Sequence, residues 1–227
     1  VNRGSEMSSK RPAPAKAGLR VGVIGAGVMG SNHARVLAGL PGVNLVGVVD
    51  PSHAHRTRAT ELADCESFET LDQLFAAGVD AVTVAAPTHL HHEIALACIA
   101  AKIHVLVEKP IASSVEEGRE IVAAAQAAGV TLMVGHVERF NPAVAAIKQA
   151  IKGEDILSIA ITRVGPFPPR MSNVGVVIDL AVHDIDLIRW FTKSDIVEVQ
   201  PQLSSAVAER EDIALLQFRT ASGVLAH

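Results

Sequence analysis

The chain has 227 residues, enough for one large domain or two modest ones. Hydrophobic residues make up 49% of it, and no uncharged apolar run reaches the roughly 18 to 20 residues of a membrane span, which excludes an integral membrane protein. The formal charge of -4 and the 3% of aromatic residues argue against nucleic acid as a partner, because neither a basic face nor a base-stacking platform is indicated.

Cysteine usage and the first residues bear on the cellular compartment. Cys65 and Cys98 are too few for a disulfide scaffold or a four-cysteine zinc site, and the sequence shows no secretory signal before its first apolar segment. We therefore expect a protein of the reducing cytoplasm. Residues 1–18 lack apolar periodicity and predict a disordered leader.

From Leu19 onward, short apolar runs alternate with longer amphipathic segments, a pattern typical of a parallel sheet with crossover helices. Right-handed crossovers would make this an α/β, doubly wound sheet, which we place in residues 19–140. The predicted strands are 19–24, 43–49, 81–85, 103–107 and 131–135, and the clearest helices are 28–40, 90–101 and 115–128, the last capped by Ser113 or Ser114 and closed by Gly129.

The pattern changes after Pro142. A helix to about Lys152 precedes an alternating segment that predicts a strand, in which Leu157, Ile159 and Ile161 face one way. We therefore expect residues 141–227 to form an α+β domain with an open-faced, mostly antiparallel sheet that looks truncated at its end. The remaining elements are the predicted strand 156–164, the proline-rich loop 166–169, the helix 176–191 and the strands 196–203 and 213–218.

A glycine-rich turn follows the first strand and opens the first helix, and its residues are Gly25, Ala26, Gly27, Val28, Met29 and Gly30. Such glycines allow a tight turn, close approach of the main chain to a pyrophosphate, and close helix packing. Asp50 ends the next apolar run, where a carboxylate accepts both ribose hydroxyls of an adenosine and repels a 2′-phosphate. We expect NAD rather than NADP, with Arg56 or Arg58 available to soften that preference. The alternative is a turn shaped by glycines beside an ordinary aspartate.

A histidine-rich segment begins where the third predicted strand of the sheet ends. Its residues are Pro87, Thr88, His89, Leu90, His91 and His92. Closely spaced histidines on a loop cannot all converge on one ion, and no acid or cysteine stands beside them, so we expect no metal site. We expect instead that Thr88 caps the following helix, that His91 lies near the cofactor, and that His89 and His92 are solvated.

Two further groups of residues indicate chemistry. Glu108 and Lys109 follow the strand 103–107 directly, which places an amine at the same edge of the sheet, suited to proton exchange with a substrate hydroxyl. The alternative is a surface lysine paired with Glu108. Asp179 and His183 lie four residues apart on a predicted helix and would share one face, with Asp186 continuing it. Here the alternative is an acidic first helical turn with an exposed histidine.

Taken in order, these motifs resemble the Gfo/Idh/MocA family of NAD(P)-dependent sugar and polyol oxidoreductases, from Leu19 to about Phe218. The resemblance implies a Rossmann domain followed by a substrate and oligomerisation domain, with Lys109, Asp179 and His183 as the candidates for substrate binding and proton transfer. Residues 135–142 and 179–186 look most like UDP-N-acetylglucosamine 3-dehydrogenases. Family members usually continue about a hundred residues further and use an open-faced sheet to form homo-oligomers.

The resemblance implies oxidation of a secondary hydroxyl of a sugar, with His183 and Lys109 exchangeable as the base. His136, Glu138 and Arg139 follow the sixth strand and would line the mouth of the site, although Arg139 is equally suited to holding the domains together. An inositol, another polyol or a UDP-hexuronate is the alternative substrate. A non-catalytic NAD-binding sensor or assembly subunit is the alternative function.

Overall fold

The computed structural model describes residues 18–166 and 174–227, so the predicted leader and most of the proline-rich loop lie outside the described residues. The described residues divide into two compact units, and the division falls between Met133 and Val134. The expected domain boundary at residues 140 and 141 stays a prediction. Within the described ranges, no helix is both long enough and apolar enough to cross a membrane.

A parallel sheet in the order β3-β2-β1-β4-β5-β6 forms the centre of the first unit. The strands are β1 (Leu19–Ile24), β2 (Val43–Val49), β3 (Glu66–Phe68), β4 (Ala81–Val84), β5 (His104–Val107) and β6 (Leu132–Val134). The helices are α1 (Val28–Ala38), α2 (His53–Ala63), α3 (Leu71–Ala77), α4 (His91–Ala100) and α5 (Val115–Ala128). The predicted doubly wound sheet is confirmed, and α2, β3 and α3 are additions to the predicted elements.

Apolar side chains cover both faces of this sheet, because successive residues of a strand point to opposite sides. Val23 and Val48 pack with Ala34 of α1 and Ala59 of α2 on one face. On the other face, Ile24 and Val49 belong to a larger cluster that includes Leu74 of α3, Ala95 of α4 and Ile121 of α5. Full burial of a large aliphatic side chain contributes about 1.5–3 kcal/mol, so these two layers hold the sheet and its strand ends in place.

The helix ends follow their local sequence. Ser114 caps α5 through its side chain, and Gly129 ends it in the left-handed conformation, both as predicted. Thr70 and Gln73 form a capping box at α3. The structure begins α2 at Ser52, whose side chain accepts a hydrogen bond from the N–H of His55. These caps set where each crossover helix starts relative to the strand before it.

The second unit contains a four-stranded sheet in the order β7-β10-β9-β8. Its strands are β7 (Ser158–Ile159), β8 (Ile196–Ser204), β9 (Ile213–Thr220) and β10 (Leu225–Ala226), and its α-helices are α6 (Pro142–Ala150) and α7 (Val182–Thr192). The β8–β9 and β9–β10 pairs are antiparallel and the β7–β10 pair is parallel. This agrees with the expected mostly antiparallel sheet.

One face of the second sheet packs on α7. Ile188 is buried together with Phe218 and Ala226, and Ile159 and Ile161 pack against them. The predicted strand 156–164 is reduced to two residues, and Leu157 is 83% exposed instead of sharing the apolar face. The alternating pattern therefore predicted correctly that Ile159 and Ile161 share the inner face, where both are partly buried, but it overestimated the length of the strand, because pattern alone does not show how far a partner strand extends.

Candidate functional site

Three neighbouring strands of the parallel sheet end in register at one edge. Ile24 of β1 pairs with Val84 of β4, and Val84 pairs with Val107 of β5. The strand order reverses between β1 and β4, so this edge is the switch point at which doubly wound sheets bind ligands. The structure therefore brings the motifs of the first unit to one edge: the glycine-rich turn after β1, Pro87 and Thr88 after β4, and Glu108 and Lys109 after β5.

The glycine-rich turn is so tight that two of its positions have no room for a side chain. Gly25 adopts a φ of +90°, and a Cβ on Gly30 would lie 1.7 Å from the carbonyl oxygen of Gly25. A Cβ on Gly27, in contrast, would meet nothing within 4 Å. Val28 and Met29 are exposed in the first turn of α1. Open main chain at a helix N-terminus fits the pyrophosphate of a dinucleotide.

Asp50 fastens this turn to the end of β2. Its Oδ2 accepts a hydrogen bond from the N–H of Ala26 and its Oδ1 accepts one from the N–H of Ser52, both at 2.8 Å. Nδ1 of His55 lies 3.3 Å from both carboxylate oxygens. Each carboxylate oxygen carries a second lone pair, so Asp50 retains acceptor capacity for the predicted ribose hydroxyls. The sequence indicated that binding role but not the structural one.

Arg56 is engaged elsewhere than the sequence predicted. Its side chain is 8% exposed, and Nη1 donates to the carbonyl oxygens of Asp50 at 2.6 Å and Pro51 at 3.2 Å. Nη2 donates to Glu69 at 2.8 Å. These contacts tie α2 to the end of β2, so Arg56 holds the fold and is not placed to soften a preference against a 2′-phosphate. Arg58 is exposed on α2 and keeps that possible role.

The segment after β4 differs from the prediction at Thr88. A 3₁₀ turn, Thr88–Leu90, begins at Pro87 and precedes α4, and in the described part of the chain no side chain caps α4. The predicted capping role of Thr88 is therefore wrong, because the 3₁₀ turn supplies the first helical bonds instead. His89 is exposed as expected, and Nε2 of His92 lies 2.8 Å from Glu120.

His91 is 1% exposed, and both of its ring nitrogens contact main-chain carbonyl oxygens. Nε2 lies 2.8 Å from the oxygen of Ala86, and Nδ1 lies 2.9 Å from that of Pro110. The expected contact between His91 and the cofactor is therefore not one that its ring nitrogens can make. The burial of His91 could not be inferred from its neighbours, because three histidines in four residues suggest a polar loop.

Glu108 is bound to α1. Its Oε1 lies 2.8 Å from Nε2 of His33, and its Oε2 accepts a hydrogen bond from the N–H of Lys109 at 3.2 Å. Burial opposes ionisation of Glu108, but the hydrogen bond and charge of His33, with the N–H and the ammonium group of Lys109, lower its pKa below the usual value. Lys109 is half-buried and directly follows β5, and the Lys109–Pro110 peptide bond is cis.

Asp179 and His183 lie on one continuous helical segment of the second unit, and both are half-buried. The predicted helix over 176–191 is present, and within it Val177–Ala181 forms a π-helical turn before α7. The N–H of Val182 bonds to the carbonyl oxygen of Val177 five residues back. Apolar periodicity over a single turn does not separate the two helix types. Such turns recur at functional sites.

Arg139 binds Asp186 through two parallel hydrogen bonds of 2.7 and 2.6 Å. The hydrogen bond to Asp186 raises the pKa of Arg139, and Asp186 is 6% exposed. Nε2 of His136 lies 3.6 Å from the same carboxylate. Of the predicted substrate-binding residues, Arg139 and His136 therefore meet at Asp186, which links the 3₁₀ turn Val137–Phe140 to α7.

Arg163 is a residue that the sequence did not single out. Its Nε and Nη2 donate to Asp184 at 3.1 and 2.8 Å, and its Nη1 lies 3.6 Å from Glu138. The hydrogen bond to Asp184 raises the pKa of Arg163. The acidic residues at 184 and 186 could have pointed to basic partners, since buried carboxylates are paired. Arg163 and Arg139 therefore hold the helix that carries His183 at two residues of a single turn, Asp184 and Asp186.

The remaining reactive side chains of the described ranges do not form a further site. No group of three or more His, Cys, Asp or Glu residues in these ranges is arranged to hold a metal ion. Cys65 and Cys98 are both free, and burial raises the pKa of their thiols to about 11 and about 12. These thiols are therefore poor nucleophiles at neutral pH.

The sequence and the fold match proteins of known type. A family model described as "Oxidoreductase family, NAD-binding Rossmann fold" matches residues 19–136, and the "GFO/IDH/MocA C-terminal domain" model matches residues 155–227. The chain is 32% identical over 209 residues to a UDP-N-acetylglucosamine 3-dehydrogenase of Acidithiobacillus ferrooxidans, covering 92% of this chain and 66% of that protein. It is 37% identical to inositol 2-dehydrogenase 1 of Saccharopolyspora erythraea, covering 91% of this chain and 65% of that protein.

Solved structures agree. The structure of the Acidithiobacillus ferrooxidans UDP-N-acetylglucosamine 3-dehydrogenase superposes with a TM-score of 0.85 at 32% identity, covering 92% of this chain and 68% of that one. GenD2 from gentamicin A biosynthesis, solved in complex with NAD, gives a TM-score of 0.83 at 31% identity, covering 100% of this chain and 67% of that one. The chain spans just under two thirds of the length of the curated relatives it matches. With its first family model matching more than half of its residues, the chain belongs to the Gfo/Idh/MocA family of oxidoreductases.

Proposed function

We propose that this protein is an NAD-dependent dehydrogenase that oxidises a secondary hydroxyl of a sugar to a ketone, and that the hydroxyl is the C3 hydroxyl of UDP-N-acetylglucosamine. The observation that carries the proposal is the turn at the switch point of the sheet. Gly27 leaves its main chain open, Gly30 packs directly on Gly25, and Asp50 closes the turn from β2. This combination fits a dinucleotide, and the family match makes that dinucleotide NAD.

When bound, NAD supplies the acceptor for the hydride that leaves the carbinol carbon. The proposed cofactor-binding residues of the chain are Gly25, Ala26, Gly27, Val28, Met29, Gly30, Asp50, Pro87, Thr88, Glu108 and Lys109. The open main chain of the turn binds the pyrophosphate, and Asp50 accepts hydrogen bonds from the ribose. NADP is disfavoured because Asp50 repels a 2′-phosphate and Arg56 is bound to Glu69.

The proposed catalytic residues are Lys109, Asp179 and His183. His183 accepts the proton of the substrate hydroxyl, and Lys109 donates a hydrogen bond to the substrate oxygen and stabilises its developing charge. Asp179 orients either the imidazole or a neighbouring hydroxyl. Exchange of roles between Lys109 and His183 is the alternative assignment. Glu138 and His136 remain proposed substrate contacts, whereas Arg139 is committed to Asp186 through two of its nitrogens.

A polyol such as an inositol is the second candidate substrate. The observation that favours it is the 37% identity to an inositol 2-dehydrogenase, against 32% to the UDP-N-acetylglucosamine 3-dehydrogenase. The two substrates differ in charge, because only the nucleotide sugar carries phosphates. The segment 135–142 is the basis for the first choice, since its sequence resembles the nucleotide-sugar enzymes.

The test measures the absorbance of reduced nicotinamide when the purified protein and NAD are mixed with UDP-N-acetylglucosamine, myo-inositol and a UDP-hexuronate. Reduction with the first of these, at a kcat/KM at least about tenfold above the others, supports the proposal. Faster reduction with myo-inositol assigns the second candidate. Binding of NAD with no reduction by any of the three overturns the enzymatic proposal and favours a non-catalytic NAD-binding protein.

Assembly and location belong to the same proposal. We propose a homo-oligomer through the outer face of the second sheet, where Leu215 is 65% exposed and Leu225 is 58% exposed. Light scattering of the purified protein tests this, and a monomer at every concentration contradicts it. Two free cysteines agree with a reducing cytoplasm as its location.

A further inference from the structure

We propose that His91 is a positioning residue for Lys109: its buried ring holds the segment after β5 against the segment after β4. The inference rests on the proposed role of Lys109 in the reaction. Its basis is the pair of contacts from one imidazole, 2.8 Å to the oxygen of Ala86 and 2.9 Å to the oxygen of Pro110. Pro110 is the residue directly after Lys109.

The location of the ring explains why it has this effect. The parallel pairing of β4 and β5 ends at Val84 and Val107, and the N–H of Glu108 then donates to the oxygen of Val84 at 2.9 Å. The strand pairing between the two segments ends at these residues. The ring of His91 continues the connection past the last paired residues, so it sets where the main chain around Lys109 lies.

The ring also suits this task better than a flexible side chain would. His91 opens α4 and is 1% exposed, so water does not compete with the carbonyl oxygens for the ring. A histidine side chain has two rotatable bonds, and its rigid ring holds the two nitrogens at a fixed separation. A neutral ring donates through one nitrogen and a cationic ring through both. Contact with Pro110 by hydrogen bonding requires a proton on Nδ1 in either form.

Two substitutions separate the two contacts. The amide nitrogen of asparagine occupies nearly the position of Nδ1, and that of glutamine nearly the position of Nε2. His91→Asn therefore keeps a donor toward Pro110 and removes the contact with Ala86, whereas His91→Gln places a donor toward Ala86 and removes the contact with Pro110. If the Pro110 contact positions Lys109, then His91→Gln lowers kcat by about tenfold or more, because small displacements of a catalytic group have such effects. His91→Asn stays within about threefold of the wild type.

The remaining measurements distinguish positioning from a general loss of structure. Lys109 is displaced and not removed in these variants, so the Kd for NAD and the KM for the substrate change by less than about threefold, well below the change in kcat. Hydrogen exchange of the peptide covering residues 108–112 is faster in His91→Gln than in His91→Asn. The matched control is His92→Gln, one residue further on the same helix, where the side chain binds the exposed Glu120 and changes neither kcat nor this exchange.

Equal kcat values in the two His91 variants, or equal exchange of residues 108–112, overturn the proposal. The hydrogen-exchange comparison does not require enzymatic turnover. If the wild-type protein reduces no NAD, the proposed function is refuted, and the exchange comparison still tests whether His91 positions the segment around Lys109. Nitrogen-15 NMR of the wild-type histidines decides the case even if a variant does not fold. A slowly exchanging proton on Nδ1 of His91 supports the contact with Pro110, and an Nδ1 without a proton overturns it.

Discussion

Gly30 is the position of the glycine-rich turn at which an added methyl group would meet the closest contact. A Cβ added there would lie 1.7 Å from the carbonyl oxygen of Gly25 and 2.8 Å from its carbonyl carbon. Real Cβ atoms essentially never approach closer than 3.0 Å, so Gly30→Ala requires α1 and the turn to separate by about 1.3 Å. The obstacle is main chain, which has no alternative rotamer.

The expected cost follows from two opposing terms. Overpacking of a well-packed contact costs about 1–3 kcal/mol, and the rigid partner here favours the upper value. Replacing glycine by alanine inside a helix stabilises the helix by about 1 kcal/mol. We therefore expect Gly30→Ala to lower the free energy of unfolding by about 2 kcal/mol. The displaced turn also raises the Kd for NAD by at least about tenfold, equivalent to 1.4 kcal/mol.

The two glycines that cap α1, Gly27 and Gly39, supply matched controls. A Cβ on Gly27 meets nothing within 4 Å, so Gly27→Ala changes stability by less than about 1 kcal/mol but places a methyl group where the pyrophosphate approaches. A Cβ on Gly39 meets only ordinary contacts, the nearest at 3.6 Å, so Gly39→Ala changes neither property. Urea unfolding measures stability, and titration calorimetry measures NAD binding.

The three variants should differ in which property they lose, whereas a turn that tolerates no substitution at all would lose both properties in every variant. Gly30→Ala loses stability and NAD binding, Gly27→Ala loses NAD binding alone, and Gly39→Ala loses neither. Wild-type stability in Gly30→Ala would refute the steric reasoning. Wild-type affinity for NAD in Gly27→Ala would refute the assignment of the open main chain to the pyrophosphate.

Two further predictions concern the charged pairs. The pKa of Glu108 is lowered from 4.5, so its ionised form stabilises the fold above pH 4.5 and that stabilisation is lost as pH falls through the folded-state pKa. Glu108→Gln should lower the free energy of unfolding by about 1–2 kcal/mol at neutral pH, and urea unfolding should show a smaller loss of stability as the pH falls below 4.5. An unchanged loss of stability at acid pH would contradict this. A double-mutant cycle of Arg163→Gln and Asp184→Asn should give a coupling free energy of about 1 kcal/mol, against less than about 0.5 kcal/mol for the more exposed pair Arg189 and Asp195. Equal couplings for the two pairs would contradict the role of Arg163 in holding α7.

The sequence predicted the first sheet well because its strands are buried on both faces. The bounds of β1, β2 and α5 agree with the predicted ones to the residue. The strand β3 has three residues and only Phe68 turns partly inward, so no apolar run marks it. The mean hydropathy of α2 is low and its apolar stripe is made of alanines, so periodicity did not reveal it.

The candidate site could be predicted as a set of positions but not as a set of contacts. Spacing placed the glycine-rich turn, Asp50 and Lys109 at the ends of strands, because parallel strands share one edge. Contacts between residues distant in sequence could not be predicted. Arg139 and Asp186 are 47 residues apart, and His33 and Glu108 are 75 residues apart. Contacts over such separations produce no periodic pattern in the sequence. The contacts of His91 were equally unpredictable, because Pro110 lies 19 residues away in the sequence.

Asp50 both holds the glycine-rich turn and is the proposed acceptor for the ribose hydroxyls, and this limits how the coenzyme selectivity of the protein can be redesigned. A usual route toward a phosphorylated coenzyme replaces the acidic residue after the second strand with a small or neutral one. Here that exchange also releases the N–H groups of Ala26 and Ser52, the first in the turn and the second at the cap of α2. A redesign that keeps the carboxylate and adds positive charge at the exposed positions of α2, such as Arg58 and its neighbours, leaves the scaffold intact. Selectivity and folding are thus coupled through one side chain, and they must be engineered from different residues.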